Sequence, residues 1–390
     1  MTGERHRLAG PLIQEPGEYT WLGLMSGTSC DGIDAACVRL TETGDAVVPV
    51  RVTTVVGETL PFPSDVGERL RTAADGSLAD AARWDRVLGE SFAAAALHAT
   101  EQWGRPDGIA VSGHTFAHLP QGAASTTLQL GNAAIVAAQT AVPVVSGFRT
   151  ADVAAGGEGA PLVPAGDRVL FAHLGARVAV VNVGGISNVT VIDGPSNPPR
   201  AADCGPGNLV LNEIARRFDV PEGFDRDGVL AAQGTADRAL VARWLQHSYF
   251  AGSTRSTGRE QFGEAWVAEW WGALNDLGKV DALATAVAWV AAAIRGSVES
   301  LVATMAPAAL DLCLIGGGGA HHEALVDALA AELSIEVAKL DAAKHGVAAD
   351  FREAAAFAIL GHERCAGRAG SFPTTTGCRV PTALGSVWLP

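Results

Sequence analysis

Short apolar runs broken by small residues set the frame of this chain. Residues 21–25 form one such run, which gives way to a turn of small and acidic residues at 26–34 before 35–40 resumes as a second strand. Further strands are expected at 47–56, 108–112 and 143–146, with 127–131 leading into a helix over 132–140. The opening pattern returns in the second half: 178–181 is apolar, 182–187 reads NVGGIS, and 188–192 is again strand-like. Residues 312–315 look like a strand of a parallel sheet and end in GGGGAH. Helical periodicity marks 78–102, a helix ending at Phe218, a nearly uncharged stretch at 282–305 that must be buried, and 348–363 with Phe351, Ala355, Ala358 and Ile359 along one apolar face. Strands and helices alternating in this way predict an α/β protein.

The turns carry the candidate chemistry. Gly27 and Gly32 let the backbone approach a bulky ligand and aim N–H groups at it, and Ser26, Thr28 and Ser29 add hydroxyl donors. Such donors suit phosphate oxygens, whereas Asp31 and Asp34 would repel them unless a hard divalent cation, most simply Mg²⁺, lies between. A Walker A loop is excluded because the turn has no lysine, and a dinucleotide fingerprint because a strand follows the glycines. An ordinary tight hairpin with solvated aspartates fits the same residues. The second glycine turn, with Asn182, Gly184 and Gly185, makes a duplicated phosphate-holding domain the natural expectation.

Asp203 stands just before a Gly-Pro-Gly turn that cannot be helical, which would hold its carboxylate at a strand end as a general base requires; a turn-capping aspartate is the alternative. Gly316, Gly317 and Gly318 offer bare backbone to the flat face of an adenine ring, or alternatively close packing at a helix start. Thr115 and His118 are expected at a strand end, where open α/β sheets contact ligands. Arg149 and Asp152 precede a turn built on Gly156, Gly157 and Gly159, and a structural salt bridge between the two is one reading.

A length of 390 residues exceeds one ordinary core, and 48% apolar residues are enough for two. A net charge of −14 argues against a nucleic-acid surface. The six cysteines form neither a C-x-x-C pair nor a zinc spacing and read as thiols in a reducing compartment. No run of eighteen apolar residues is present, and the opening residues lack the apolar middle of a signal peptide, so a soluble cytoplasmic protein is expected.

The stretch GLMSGTSCDGIDAA resembles the N-terminal signature of the anhydro-N-acetylmuramic acid kinases, whose commonest form has methionine at Cys30. The resemblance continues in order. SGHTFAH is similar to H-G-Q-T-V-R-H, departing at Ser112, His114 and Ala117, and the block from Phe148 to Pro164 is close to the family's. DCGPGN resembles D-T-G-P-G-N, with Asn212 where aspartate is usual, and the FDRDG, STGREQF, EAAAFA and TGC blocks follow; His322 replaces a usual asparagine.

This resemblance implies two ribonuclease H-like domains of the actin/hexokinase type around a central nucleotide cleft. It places a tail at 1–18, domains at 19–165 and 166–345, and a helix and tail at 346–390 packing back on the first. It implies ATP held by Gly27, Thr28, Ser29, Cys30, Asp31, Gly32, Ile33 and Asp34 in the first turn, by Asn182, Gly184 and Gly185 in the second, and by Gly316, Gly317 and Gly318. Asp31 would hold Mg²⁺, Asp203 would be the catalytic base, Glu353 would be a second catalytic carboxylate orienting water or sugar hydroxyls, and Arg149, Thr115 and Asp203 would contact an amino sugar. From pattern alone Glu353 is equally a helix-surface residue. The reaction implied is ring opening and phosphorylation of 1,6-anhydro-N-acetylmuramic acid in cell-wall recycling, the alternatives being a kinase of another amino sugar or a silent sugar sensor. The partners expected are the sugar and ATP, not nucleic acid or membrane, with a homodimer left open.

Overall fold

The computed structural model describes residues 13, 15–27, 30–71, 73, 76–119, 125–251, 261–303, 305 and 309–390. In chain order the strands are β1 (Gly17–Ser26), β2 (Gly32–Glu42), β3 (Val50–Pro61), β4 (Gly108–Leu119), β5 (Thr126–Leu130), β6 (Val144–Ser146), β7 (Arg177–Val183), β8 (Ile186–Asp193), β9 (Arg200–Pro206), β10 (Leu312–Gly316), β11 (Val337–Lys339) and β12 (Ser386–Trp388). The helices are α1 (Ser64–Leu70), α2 (Leu78–Trp103), α3 (Ala133–Thr140), α4 (Phe148–Ala154), α5 (Val163–Leu170), α6 (Asn208–Arg217), α7 (Arg238–Trp244), α8 (Glu264–Leu277), α9 (Lys279–Val302), α10 (Glu323–Leu333), α11 (Ala342–His345), α12 (Arg352–Cys365) and α13 (Pro373–Thr376). They divide into two compact units, Met1–Leu174 with Ala342–Pro390, and Gly175–Asp341.

The first unit holds a seven-stranded sheet of order β12-β6-β4-β1-β2-β3, with β5 paired to β4; the second holds a five-stranded sheet of order β11-β10-β7-β8-β9. One topology underlies both. Three consecutive strands form an antiparallel meander, and two later strands add in parallel beside the first of the three. This is the two-domain α/β fold class expected from the sequence.

Local chemistry explains the main elements of the first unit. At the start of α2 the Ser77 hydroxyl accepts from the Asp80 N–H while the Asp80 carboxylate accepts from the Ser77 N–H, a reciprocal cap. Trp84, Leu88 and Phe92, spaced four apart, then bury one face of α2 in a core with Leu22, Leu24, Ile109 and Val111. The opposite face of the sheet is covered by α12, which lies so close that a Cβ on Gly23 would stand 1.9 Å from the Ala354 carbonyl oxygen. Gly23→Ala is therefore expected to shift α12 and cost about 1–3 kcal/mol, read as a lower urea midpoint with unchanged slope; an unaltered midpoint would mean the helix can retreat freely.

Two expectations need correction here. The sequence pattern assigns this last long helix a single apolar face, but α12 is buried nearly all round, including Arg352, His362 and Glu363. These polar groups are tolerated because each meets a partner: Arg352 donates to both oxygens of Asp167 at 2.7 and 2.5 Å, His362 Nε2 lies 2.6 Å from Glu42, and Arg368 bridges Glu42 and Glu363. The strand expected at 108–112 is also longer, running on to Leu119 because β5 supplies it with a partner, so Thr115 stands inside β4 while His118 is next to its last residue.

In the second unit α9 packs on β8 and β9 and carries the core, with Trp289, Leu283, Val287, Val290 and Ile294 enclosed. It is long and apolar enough to cross a bilayer, but 78% of its most apolar window is buried within the unit, as for a core helix.

Candidate active site

The first glycine turn joins β1 to β2, whose antiparallel register pairs Met25 with Asp34. Gly32, Ile33 and Asp34 thus belong to the strand, not to the turn. Ile33 is a core residue at 2% exposure, so only its backbone is available to a ligand. Thr28 and Ser29 lie outside the described residues. Cys30 has a left-handed backbone, φ 56°, uncommon for a residue with a side chain, and is held there by its N–H bond to the Gly27 carbonyl and by burial of its thiol in the core. Next to it Asp31 is exposed, while its carbonyl accepts from Phe62.

The two acids of this segment have different surroundings. Asp34 is half-buried and accepts from the Thr59 hydroxyl at 2.7 Å; burial pushes its carboxyl up, against the pull of that bond, and Asp31 and Asp350 add to the rise. Among the described residues no three or more His, Cys, Asp or Glu side chains gather as a metal cage. A magnesium ion brought in on phosphates needs only one or two carboxylates, and the solvent-exposed carboxylate of Asp31 fits that requirement.

Around the start of α12 the first unit gathers a second set of groups. Glu353 is half-buried in the helix's first turn; burial pushes its carboxyl up, while Arg352 and Arg149 pull it down. Arg149, in the short helix α4, is itself lowered by burial and raised by Glu353. The alternative of an Arg149–Asp152 salt bridge is not what forms: Asp152 is fully buried and accepts from the Gly159 N–H and the Thr376 hydroxyl, both at 2.7 Å, holding the glycine loop instead. His118 is held down by burial and by Arg149, and Thr115 lies 3.5 Å from the amide of Gln129.

In the second unit the turn between β7 and β8 is just Gly184 and Gly185, with carbonyls that accept from Asn208 and Leu209 at the start of α6. Strand register then places Gly316, Asn182, Asn188 and Asp203 in one row across β10, β7, β8 and β9. Directly opposed residues send their side chains to one face of a sheet, so the carboxylate and the two amides share a face, while Val181, Val183, Val189 and Cys204 point into the core on the other. Asp203 is half-buried, and its carbonyl accepts from the Tyr249 hydroxyl at 2.9 Å. The Gly-Pro-Gly segment after it does not end the strand: β9 continues to Pro206, which an edge strand allows because the missing N–H breaks no ladder bond.

Gly317, at φ 74°, passes so near β7 that a Cβ there would be 2.6 Å from the Asn182 amide oxygen. Of the three glycines assigned to adenosine, Gly318 lines a pocket of about 410 Å³ within this unit, together with Asn208, Phe224, Asp225 and His322. The FDRDG motif acquires a structural part here: Asp225 accepts from Leu230 and Ala231, and Gly228 leaves room for the His322 ring. Asn188 and Asn208 escaped the sequence reading. The β7–β8 register encloses Gly184, Gly185 and Ile186, so counting outward from the two glycines alone would have set Asn182 against Ser187 and missed Asn188; Asn208 closes the DCGPGN block but was given no part, and its amide donates to Val183 O at 3.1 Å.

The family model for anhydro-N-acetylmuramic acid kinase matches residues 19–390. The chain belongs to that family. Its relatives include an anhydro-N-acetylmuramic acid kinase of Salinibacter ruber, 38% identical over 390 residues and covering 95% of this chain and 96% of that protein. One from Acidithiobacillus ferrooxidans is 38% identical over 376 residues, covering 94% and 91%, and one from Caldanaerobacter subterraneus is 33% identical over 387 residues, covering 94% and 96%. This anhydro-N-acetylmuramic acid kinase family member therefore aligns with its relatives through all the segments described above, and it is a kinase by that membership.

Proposed function

We propose that the chain uses ATP to convert 1,6-anhydro-N-acetylmuramic acid to N-acetylmuramic acid 6-phosphate and ADP, in the cytoplasm, as a step of cell-wall recycling. The observation that carries this reading is the row Gly316, Asn182, Asn188 and Asp203, which puts one carboxylate and two amides on a common face beside the second glycine turn, in a chain whose family match spans 19–390.

In the proposed reaction Asp203 takes a proton from water as the water oxygen bonds to carbon 1 of the sugar. The bond from carbon 1 to the bridging oxygen breaks, and that oxygen, now on carbon 6 alone, bonds to the γ-phosphorus as ADP leaves. Asn182 and Asn188, with the N–H groups of the two glycine turns, hold phosphate oxygens, and Arg149 and Glu353 orient the sugar. Mg²⁺, held by Asp31 and the phosphates, would neutralise charge on the transferring group. Positioning and neutralisation supply most of the acceleration in phosphoryl transfer. The pocket beside Gly318 accommodates the nucleoside end.

A coupled assay of ADP release tests the reading. ADP should form in step with consumption of anhydro-N-acetylmuramic acid, and not with N-acetylglucosamine or glucose as sole acceptor. Equal turnover with another amino sugar would transfer the substrate assignment to it, and no ADP with any sugar would leave a sensor.

A further inference from the structure

Three buried side chains support the first glycine turn and have no part in the mechanism above. Ser26, the last residue of β1, Cys30 and His114 are 7%, 4% and 5% exposed. His114 Nδ1 stands 3.1 Å from Ser26 Oγ, and its Nε2 stands 3.9 Å from Cys30 Sγ, so one imidazole spans the two shoulders of the turn. Burial lowers His114 and keeps the ring neutral, and a cysteine thiol ordinarily carries its proton. Cys30 and His114 are also two of the places where the sequence departs from the signature it resembles, methionine and glutamine being usual there, and they touch each other.

A neutral imidazole donates from one nitrogen and accepts at the other. In one arrangement the Cys30 S–H donates to Nε2 and Nδ1–H donates to Ser26 Oγ, which leaves the serine's own O–H for a further acceptor. In the other, Ser26 spends its proton on Nδ1 and Nε2–H must rely on a thiol sulfur, a weak acceptor. The first satisfies the ring with the better acceptor, the hydroxyl oxygen. We propose that Cys30, acting through His114, sets Ser26 as a hydrogen-bond donor to the phosphate chain of the nucleotide. Cys30 and His114 are positioning residues and Ser26 is the binding residue. The ligand in this proposal rests on the kinase reading; the tautomer does not.

The test separates the two. In the full chain labelled with ¹⁵N-histidine, the His114 resonances should report a protonated Nδ1. Cys30→Ala should move the proton to Nε2 and weaken Mg-ATP binding, by calorimetry, about three- to tenfold, and Ser26→Ala should weaken it about tenfold or more, the loss of one bond to a charged group. Cys30→Ser retains a donor and should keep both the tautomer and, within about threefold, the affinity. Thermal midpoints of the three variants identify any loss that is merely structural. A wild-type ring protonated at Nε2, or Cys30→Ala with tautomer and affinity unchanged, overturns the proposal. A wild type with the expected tautomer but no ATP binding overturns the kinase reading and removes the ligand with it.

Discussion

Asp203→Asn is expected to reduce turnover by about 10²- to 10⁴-fold, the usual worth of a positioned general base, while Mg-ATP binds with nearly unchanged affinity. The asparagine is close in shape, so the backbone of β9, held by Tyr249 and by pairing of position 203 with Asn188, should not move. What disappears is the ability to accept the proton of the attacking water. The decisive comparison is single-turnover rate against ATP affinity in one preparation. Near-normal turnover would show that another group takes the proton, and a parallel collapse of ATP affinity would assign Asp203 to the nucleotide instead. The neighbouring Asn188 sharpens the contrast: as a phosphate ligand, its change to alanine should weaken ATP binding, which Asp203→Asn leaves alone.

Arg352→Leu should be the most damaging change to stability, costing roughly 3–5 kcal/mol, because it strands a buried carboxylate. Asp167 is fully buried, Arg352 is 5% exposed, and the two are joined by a pair of parallel hydrogen bonds. Burial alone would lower the Arg352 guanidinium, yet Asp167 holds it above its ordinary value. The double variant Arg352→Leu with Asp167→Leu should recover much of the loss, since no lone charge remains inside. Denaturant midpoints of the two single variants and the double one decide the matter, and strictly additive losses would refute the coupling. The cost also reaches function, because Arg352 fixes the first turn of the helix that presents Glu353.

The sequence was most legible where the signal is local. The amphipathic stretch at 78–102 became α2 almost to the residue, and both glycine turns fall where the small residues cluster. It was least legible where a distant partner decides the outcome. Thr115 looked terminal because the β5 strand that extends β4 has only five residues and little alternation of its own. The helix at 352–365 looked one-sided because its buried polar groups are matched by Asp167 and Glu42, 185 and 320 residues away in sequence. In the candidate site, Asp203 and the glycines were picked out as candidates from turn chemistry. The row joining Asp203 to Asn188 depends on β8–β9 register across a loop, and the contact of Cys30 with His114 spans 84 residues; neither can be counted off a sequence.

The discontinuity of the first unit has a bearing on biosynthesis. Its sheet is encoded almost entirely before residue 175, but the helix that covers one face of β1, β2 and β4 is encoded after residue 341. A ribosome therefore releases the whole of the later-encoded unit before the earlier one can finish its apolar layer, so completion runs opposite to synthesis. Until then Leu24's sheet has one greasy side, around Gly23 and Ala36, open to chaperones or to aggregation, and a chain truncated near residue 341 should precipitate although its inner unit is complete.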